Sequence, residues 1–439
     1  MTRPLLIKNG HLIDPARGLD ETGSIFLADG RIAWVGGRKT PPTDYNIIDA
    51  GGLIVCAGFI DLHCHLREPG YEEKETIATG TRAAVRGGFT TVCCMPNTDP
   101  PLDNQATIDY VKSTAASQGA VRVLPIGTIT KGRQGRELAE MAEMSEAGAV
   151  AFSDDGCWVD DSRLMRQAME YSQAFNRPVI SHCQDAALSE DGQMNEGITA
   201  TRLGLRGIPA AAEEIAVARD IALAELSGCR LHIAHISTAG SVELIRRAKD
   251  RGIRISCEVT PHHLTLTEER VMGYDTNAKI NPPLRTAGDI EALINGLNDG
   301  VIDIIATDHA PHTENDKMCE FALAPFGMSG LETALGSLMG LVHDGKLPLG
   351  LLISKLTTAP AGIIGPDFGQ LGTLKEGAAA DITIISPDHE WTVDAGQFAS
   401  KGRNTPLAGS HLKGRVMATI YNGKLAYKDA SIKAGEAND

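Results

Sequence analysis

The sequence predicts an α/β chain, a (β/α)8 TIM-like barrel with a small β-sandwich domain formed by both chain termini. Three observations carry this. The middle of the chain alternates a short apolar run with a helical repeat eight times. The two ends carry strand-like runs broken by turn dipeptides instead. The polar residues of the middle fall where its apolar runs finish.

The ends come first. LLIKNGHLID, SIFLADGRIAWVG and IIDAGGLIVCAG read as short strands with NG, DG and GG as turn signals. DITIISP and GRVMATIYNGKLAY resume that pattern near the C-terminus. A β-rich start and a β-rich end around a different middle predict one small domain over 1–56 and 366–439. The barrel then occupies 57–365.

In the middle, FIDLHCH precedes ETIATGTRAAVRGG, and TTVCCMPN precedes QATIDYVKSTAASQG. VRVLPIGTIT leads to ELAEMAEMSEAG, AVAFSDD to SRLMRQAMEYSQAF, and RPVISHCQD to PAAAEEIAVARDIALAELSG. CRLHIAHIS leads to SVELIRRAKDRG, IRISCEVTPHH to GDIEALINGLNDG, and VIDIIATDHAPH to LETALGSLMGLVHDG. Parallel strands need crossovers, so strand–helix alternation means a parallel sheet. Eight units suggest closure into a barrel. No G-x-G-x-x-G follows a strand, which weighs against a dinucleotide fold.

Bulk properties exclude several functions. The 439 residues hold 42% hydrophobic residues, enough for a large core. The formal charge of −15 argues against nucleic-acid or anionic-membrane partners. Nine cysteines form no paired framework, and Cys93 beside Cys94 would bridge only with strain. That usage fits a reducing, cytoplasmic setting. The start has no long apolar leader, and no run reaches the ~18 residues of a membrane span.

In a parallel barrel, catalytic groups sit at the C-terminal ends of strands. Here strand one ends in His63-Cys64-His65, strand four in Asp154-Asp155, strand five in His182, strand six in His235, and strand eight in Asp308-His309 with His312 beyond. Residues two apart on a strand share a face, so His63 and His65 can hold one cation. Four histidines and two carboxylates would complete a site for one or two divalent ions, with zinc suiting imidazole and carboxylate best. Asp154-Asp155 also reads as a turn, and either residue can be the ligand. His11, His232, His343, His389 and His411 lack partners of this kind and are read as structural. His262 and His263 follow strand seven and stay unassigned.

These residues resemble a known family. Gly58-Phe59-Ile60-Asp61-Leu62-His63-Cys64-His65-Leu66-Arg67-Glu68-Pro69-Gly70 looks like the first signature of the dihydroorotases, and Ala306-Thr307-Asp308-His309-Ala310-Pro311-His312 like the second. Met95-Pro96-Asn97-Thr98 and Lys279-Ile280-Asn281-Pro282-Pro283-Leu284-Arg285 also match, as in the long bacterial form, class I. The resemblance implies reversible closure of N-carbamoyl-L-aspartate to L-dihydroorotate with loss of water, a step of pyrimidine biosynthesis. It implies that His63, His65 and Asp308 bind one zinc, and that His182 and His235 bind a second. Many relatives bridge the two metals with a lysine; strand four here has none. Asp155 matches the aspartate that class I uses instead, with Asp154 as the fallback. Asn281, Phe326 and Gly327 become substrate contacts, and so does His65.

The chemistry follows. A metal lowers the pKa of bound water toward about 7, giving a hydroxide for attack on the ring amide. Asp308 can accept its proton and return it to the departing nitrogen. Arg67, two residues past His65, is expected on the same side, paired with the substrate carboxylate. Asn97 and His312 would complete that clamp. The loop over 311–330 is a candidate lid, with Gly327 and Gly330 as hinges. The resemblance also implies a homodimer and an association with aspartate transcarbamoylase. The rival readings are another cyclic amidohydrolase (a hydantoinase or allantoinase) and a non-catalytic scaffold for that transcarbamoylase.

Overall fold

The computed structural model describes residues 3–37, 44–432 and 434–436. Eight strand positions, each followed by a helix, form the barrel. Its strands are Phe59–Cys64, Phe89–Cys94, Arg122–Pro125, Val179–Ser181, Leu231–Ile233, Ile255–Val259 and Ile304–Ile305, all paired in parallel. The fourth position is reduced to Phe152, which bridges Gly127 on one side and Val179 on the other. Cys64 bridges His309 and closes the ring.

The eight helices are Ile77–Arg86, Gln105–Gln118, Met141–Ala147, Ser162–Ser172, Ala210–Ser227, Ala239–Asp250, Ala287–Asn298 and Ala334–His343. Five of them start at side-chain caps: Thr76, Asn104, Asp161, Thr238 and Thr286 each accept a backbone N–H of the first turn. Two apolar layers hold the barrel. Ile60, Leu62, Ile126, Ile180 and Ile304 fill its interior with Ile364, while Phe59, Phe89, Val92, Phe152 and Leu338 belong to the larger core around it.

The fourth and eighth strands are shorter than the sequence suggests, because side chains take over their ladder bonds. Asp154 accepts Ile129 N at 2.8 Å and Thr130 N at 3.1 Å. Asp61 accepts Thr307 N at 2.8 Å and Thr307 Oγ1 at 2.6 Å. A carboxylate of strand one thus stitches it to the eighth strand, one residue before Asp308.

Strands from both chain ends share one nine-stranded sheet. Leu5–Asp14 pairs with Leu19–Ala28 along its length, with Asn46–Asp49 over its first half, and with Ile54–Ala57 over its second. This branching separates two layers around a core of their own, including Ile7, Leu12, Ile25, Val55, Ile382 and Ile420. Asn9-Gly10, expected as a turn, is a bulge inside that long strand: the register shifts between Ile7 and Gly10, and Asn9 has φ 60°. A Cβ at Gly10 would stand 2.5 Å from Val55, so only glycine fits there. Asp29-Gly30 is a true hairpin turn. Among the described residues, no helix is long and apolar enough to cross a membrane.

Candidate metal centre and substrate cavity

His63 is the penultimate residue of the first barrel strand, which ends at Cys64, and His65 lies just past it. Asp155 follows the Phe152 bridge, His182 follows Val179–Ser181, His235 follows Leu231–Ile233, and Asp308 follows Ile304–Ile305. All six are buried. His235 and Asp308 adopt positive φ, 30° and 44°. Such backbone costs about 1–3 kcal/mol per residue outside glycine and persists where the surroundings enforce it.

Asp155 stands at the centre. Its Oδ1 is 3.2 Å from His63 Nε2, 3.6 Å from His182 Nδ1 and 3.9 Å from His235 Nε2, and its Oδ2 is 3.6 Å from His65 Nε2. Asp308 Oδ1 lies 3.0 Å from His65 Nε2 and 3.6 Å from His63 Nε2. His182 Nδ1 faces His235 Nε2 across 2.8 Å. Asp154 points away, into the 129–130 backbone, so Asp155 is the residue brought to the histidines.

The residues fit a metal. His63, His65 and Asp155 form one group whose ligand atoms lie within 4.8 Å of one another, and Asp155, His182 and His235 form a second. Asp155 is common to both. His63 Nε2, Asp155 Oδ1 and His235 Nδ1 are buried without a hydrogen-bond partner. Buried polar atoms are nearly always paired; His63 Nε2 and Asp155 Oδ1, which face each other in the group, are atoms a cation would satisfy, whereas His235 turns its other nitrogen, Nε2, to the group. Imidazole and carboxylate donors suit zinc.

Electrostatics keep the carboxylates in their ligand form. Burial would raise Asp155 and Asp308, but the adjacent histidines, His63 foremost, outweigh it and hold both below the usual range. Burial would lower His63, and Asp155, Glu258 and Asp308 reverse that. Burial, with His182 and His63 alongside, pushes His235 down to about 3.

A second ring of side chains orients the first. Glu258 Oε1 lies 2.6 Å from His63 Nδ1, and its Oε2 lies 3.1 Å from His232 Nε2. His232 Nδ1 in turn meets Ser256 Oγ at 2.8 Å. Asn97 Oδ1 is 2.9 Å from His65 Nδ1, and Gln184 Oε1 is 3.2 Å from His182 Nε2. A ligating imidazole whose other nitrogen is hydrogen-bonded has its tautomer and ring plane fixed. Sequence reasoning missed Glu258 and Gln184 and read His232 as merely structural. A signal existed for Glu258: it is a charge inside the apolar strand Ile255–Val259.

The cavity beside this cluster measures about 210 Å³. His65, Arg67, Asn97, Asp155, His182, His235, Asn281, Asp308, His312, Phe326 and Gly327 all line it, so every site residue expected from sequence meets here except His63, which lies beneath. Arg67 gets there by another route than expected. The strand stops at Cys64, and Arg67 turns inward through a left-handed backbone, φ 61°. Its Nε donates to Pro311 O at 3.2 Å. His312 Nε2–H donates to Phe326 O at 2.8 Å, and Asn281 Nδ2 donates to Gln184 Oε1 at 2.5 Å. Asn281 Oδ1 is buried and unpaired. A Cβ at Gly327 (φ 130°) would stand 2.8 Å from Ala310 Cβ, which only glycine avoids. His263 is held by Thr260 Oγ1 and Pro282 O. His262 is buried with Nε2 unpaired and does not line the cavity.

Comparison with known proteins agrees with this picture. A family model described as Dihydro-orotase-like matches residues 51–241. A dihydroorotase of Pelotomaculum thermopropionicum is 55% identical over 98% of this chain and 100% of its own. One of Geobacter sp. (strain M21) is 52% identical over 97% of this chain and 99% of its own. Among solved structures, the L-hydantoinase (dihydropyrimidinase) of Arthrobacter aurescens superposes with a TM-score of 0.87 at 26% identity, over 99% of this chain and 98% of that one. A D-hydantoinase of Thermus sp. superposes with a TM-score of 0.83 at 24% identity, over 98% and 97%.

Proposed function

The chain belongs to the dihydroorotase family, and on that footing we propose that it is a zinc-dependent cyclic amide hydrolase interconverting L-dihydroorotate and N-carbamoyl-L-aspartate. The observation that carries the reading is Asp155 shared by two histidine pairs, with unpaired ligand atoms, at the floor of a cavity lined by Arg67 and Asn281.

His63, His65 and Asp308 would hold one zinc, His182 and His235 a second, with Asp155 between them. Zinc there, when bound, supplies acidification of water toward about pH 7 and polarisation of the amide carbonyl. Asp308, ionised beside His65, takes up the proton released as water adds and returns it to the departing ring nitrogen. Ring closure runs through the same residue in reverse. Arg67 pairs with the substrate's free carboxylate, since a guanidinium matches that geometry bidentately. Asn281 Oδ1, an acceptor without a protein partner, takes a substrate N–H. His312 and the backbone of Phe326 and Gly327 close the same end. Asn97 holds His65 with its oxygen, donates its amide nitrogen to Asp155 Oδ2 at 3.4 Å, and lines the cavity where the substrate carboxylate would meet it.

The hydantoinase-like fold gives the second reading, another cyclic amidohydrolase such as a hydantoinase or allantoinase. Only a substrate bearing a carboxylate uses Arg67. Side-by-side assays of dihydroorotate and hydantoin therefore separate the readings. Turnover of hydantoin without dihydroorotate hydrolysis would overturn ours. A non-catalytic scaffold is disfavoured by the complete ligand set.

Further expectations belong here too. Nine free cysteines fit a cytoplasmic setting. The homodimer and the transcarbamoylase association rest on family resemblance, and sedimentation with and without that enzyme tests both. The domain division at 1–56 with 366–439 against 57–365 is supported by the sheet and core that the two ends share.

A further inference from the structure

Asn404 lies far from the barrel in sequence, in the C-terminal stretch. Its side chain is nevertheless buried between two loops at the substrate end of the cavity. Its Oδ1 accepts His312 N–H at 2.9 Å. Its Nδ2 donates to Ala310 O at 3.1 Å and to Gly327 O at 3.0 Å. Ser329 Oγ stands 3.0 Å from the same Oδ1, and Ser329 N donates to the Asn404 carbonyl at 2.8 Å. A primary amide offers two donors and two acceptor positions; here both donors and one acceptor position are occupied, and the other shares the single Ser329 hydroxyl proton with Gly402 O, 2.9 Å from that Oγ. Three of those bonds go to the backbone of Ala310, His312 and Gly327, which line the cavity.

We propose that Asn404 is a positioning residue for substrate. It sets the spacing between the loop after Asp308 and the loop carrying Phe326 and Gly327, and so sets affinity for the carboxylate-bearing end of the ring. This rests on the reading of His312, Phe326 and Gly327 as substrate contacts. Asn404 touches neither the metal ligands nor the reacting amide, so metal content and the chemical step do not depend on it.

Two independent changes disturb the same spacing. Asn404→Asp keeps the shape but loses both donors and sets a carboxylate oxygen against two carbonyls. Gly402→Ala leaves Asn404 intact, but its Cβ would stand 2.3 Å from Pro311 Cβ and push the 402–404 stretch off the loop.

The test uses the zinc-loaded full chain as wild type, Asn404→Asp, Gly402→Ala and His312→Ala. Bound metal, kcat and KM for dihydroorotate are measured on each. Loss of binding shared by ground and transition states raises KM alone, so we expect KM up about tenfold or more in both new variants, with kcat within about threefold. Bound metal should match wild type. A wild-type KM in Asn404→Asp, or a loss confined to kcat or metal, overturns the proposal. If Asn404→Asp does not fold, Gly402→Ala decides by the same criterion. A wild-type KM in His312→Ala overturns the substrate-contact reading itself, and this proposal with it.

Discussion

Glu258 Oε1 lies 2.6 Å from His63 Nδ1, both side chains fully buried inside the barrel. The carboxylate fixes which nitrogen of His63 faces Asp155 and strengthens it as a ligand. Loss of such an outer partner typically costs 10- to 100-fold in metal affinity. Glu258→Gln should weaken zinc binding by about that factor in a chelator competition. Unchanged affinity would show that His63 needs no such support.

The two adjacent aspartates separate cleanly. Asp155→Ala should lose bound metal and turnover together. Asp154→Asn should keep its metal, yet unfold more easily by about 1–3 kcal/mol, because Ile129 N and Thr130 N lose a charged acceptor. Metal analysis beside urea unfolding reads both. Retained metal in Asp155→Ala would contradict the shared-ligand assignment.

Arg67 is the specificity contact. Hydrogen bonds to charged groups are worth about 1.5–3 kcal/mol, so Arg67→Met should raise KM for dihydroorotate roughly 10- to 100-fold. Bound metal should not change. A wild-type KM would remove Arg67 from the clamp.

The loop over 311–330 is tied down by two lysines. Lys317 Nζ donates to Pro325 O at 2.7 Å and Thr276 O at 3.0 Å, and Lys279 Nζ to Phe321 O at 2.8 Å. Burial, and next the Lys279 charge, push Lys317 down to about 7 from an ordinary 10.5. Between those two values the unfolded chain holds a proton that the native chain lacks, so stability gains with rising pH. The wild-type stability curve should therefore climb more steeply than that of Lys317→Met from pH 7 to 10, by at most about 1.4 kcal/mol per pH unit. Urea midpoints across that range measure it, and parallel curves would refute it.

Much of this was readable in the sequence, for stated physical reasons. Eight apolar runs alternating with helical repeats dictate a parallel sheet, and His63, His65, His182, His235 and Asp308 stand where those runs end. Asp155 was ambiguous because DDG is also a turn signal; only the capping of Ile129 and Thr130 by Asp154 separates the pair. Arg67 reached the cavity by a left-handed turn that strand alternation does not foresee. Glu258 and Asn404 matter through partners distant along the chain: Glu258, visible only as a charge inside an apolar strand, meets His63 195 residues away, and Asn404 meets His312 92 residues away. Gln184 sits two residues from its partner His182, but no residue pattern marks an amide there as a support for a ligand. Asn9-Gly10 misled because a dipeptide that turns a hairpin also suits a bulge.

The most direct test of the account is dihydroorotate hydrolysis by zinc-loaded Asp308→Asn, with bound metal determined on the same sample. Positioned proton transfer contributes about 10²- to 10⁴-fold, so kcat per zinc-loaded chain should fall by that range, zinc affinity itself being weakened because Asp308 is also a ligand. Wild-type turnover with zinc in place would contradict it.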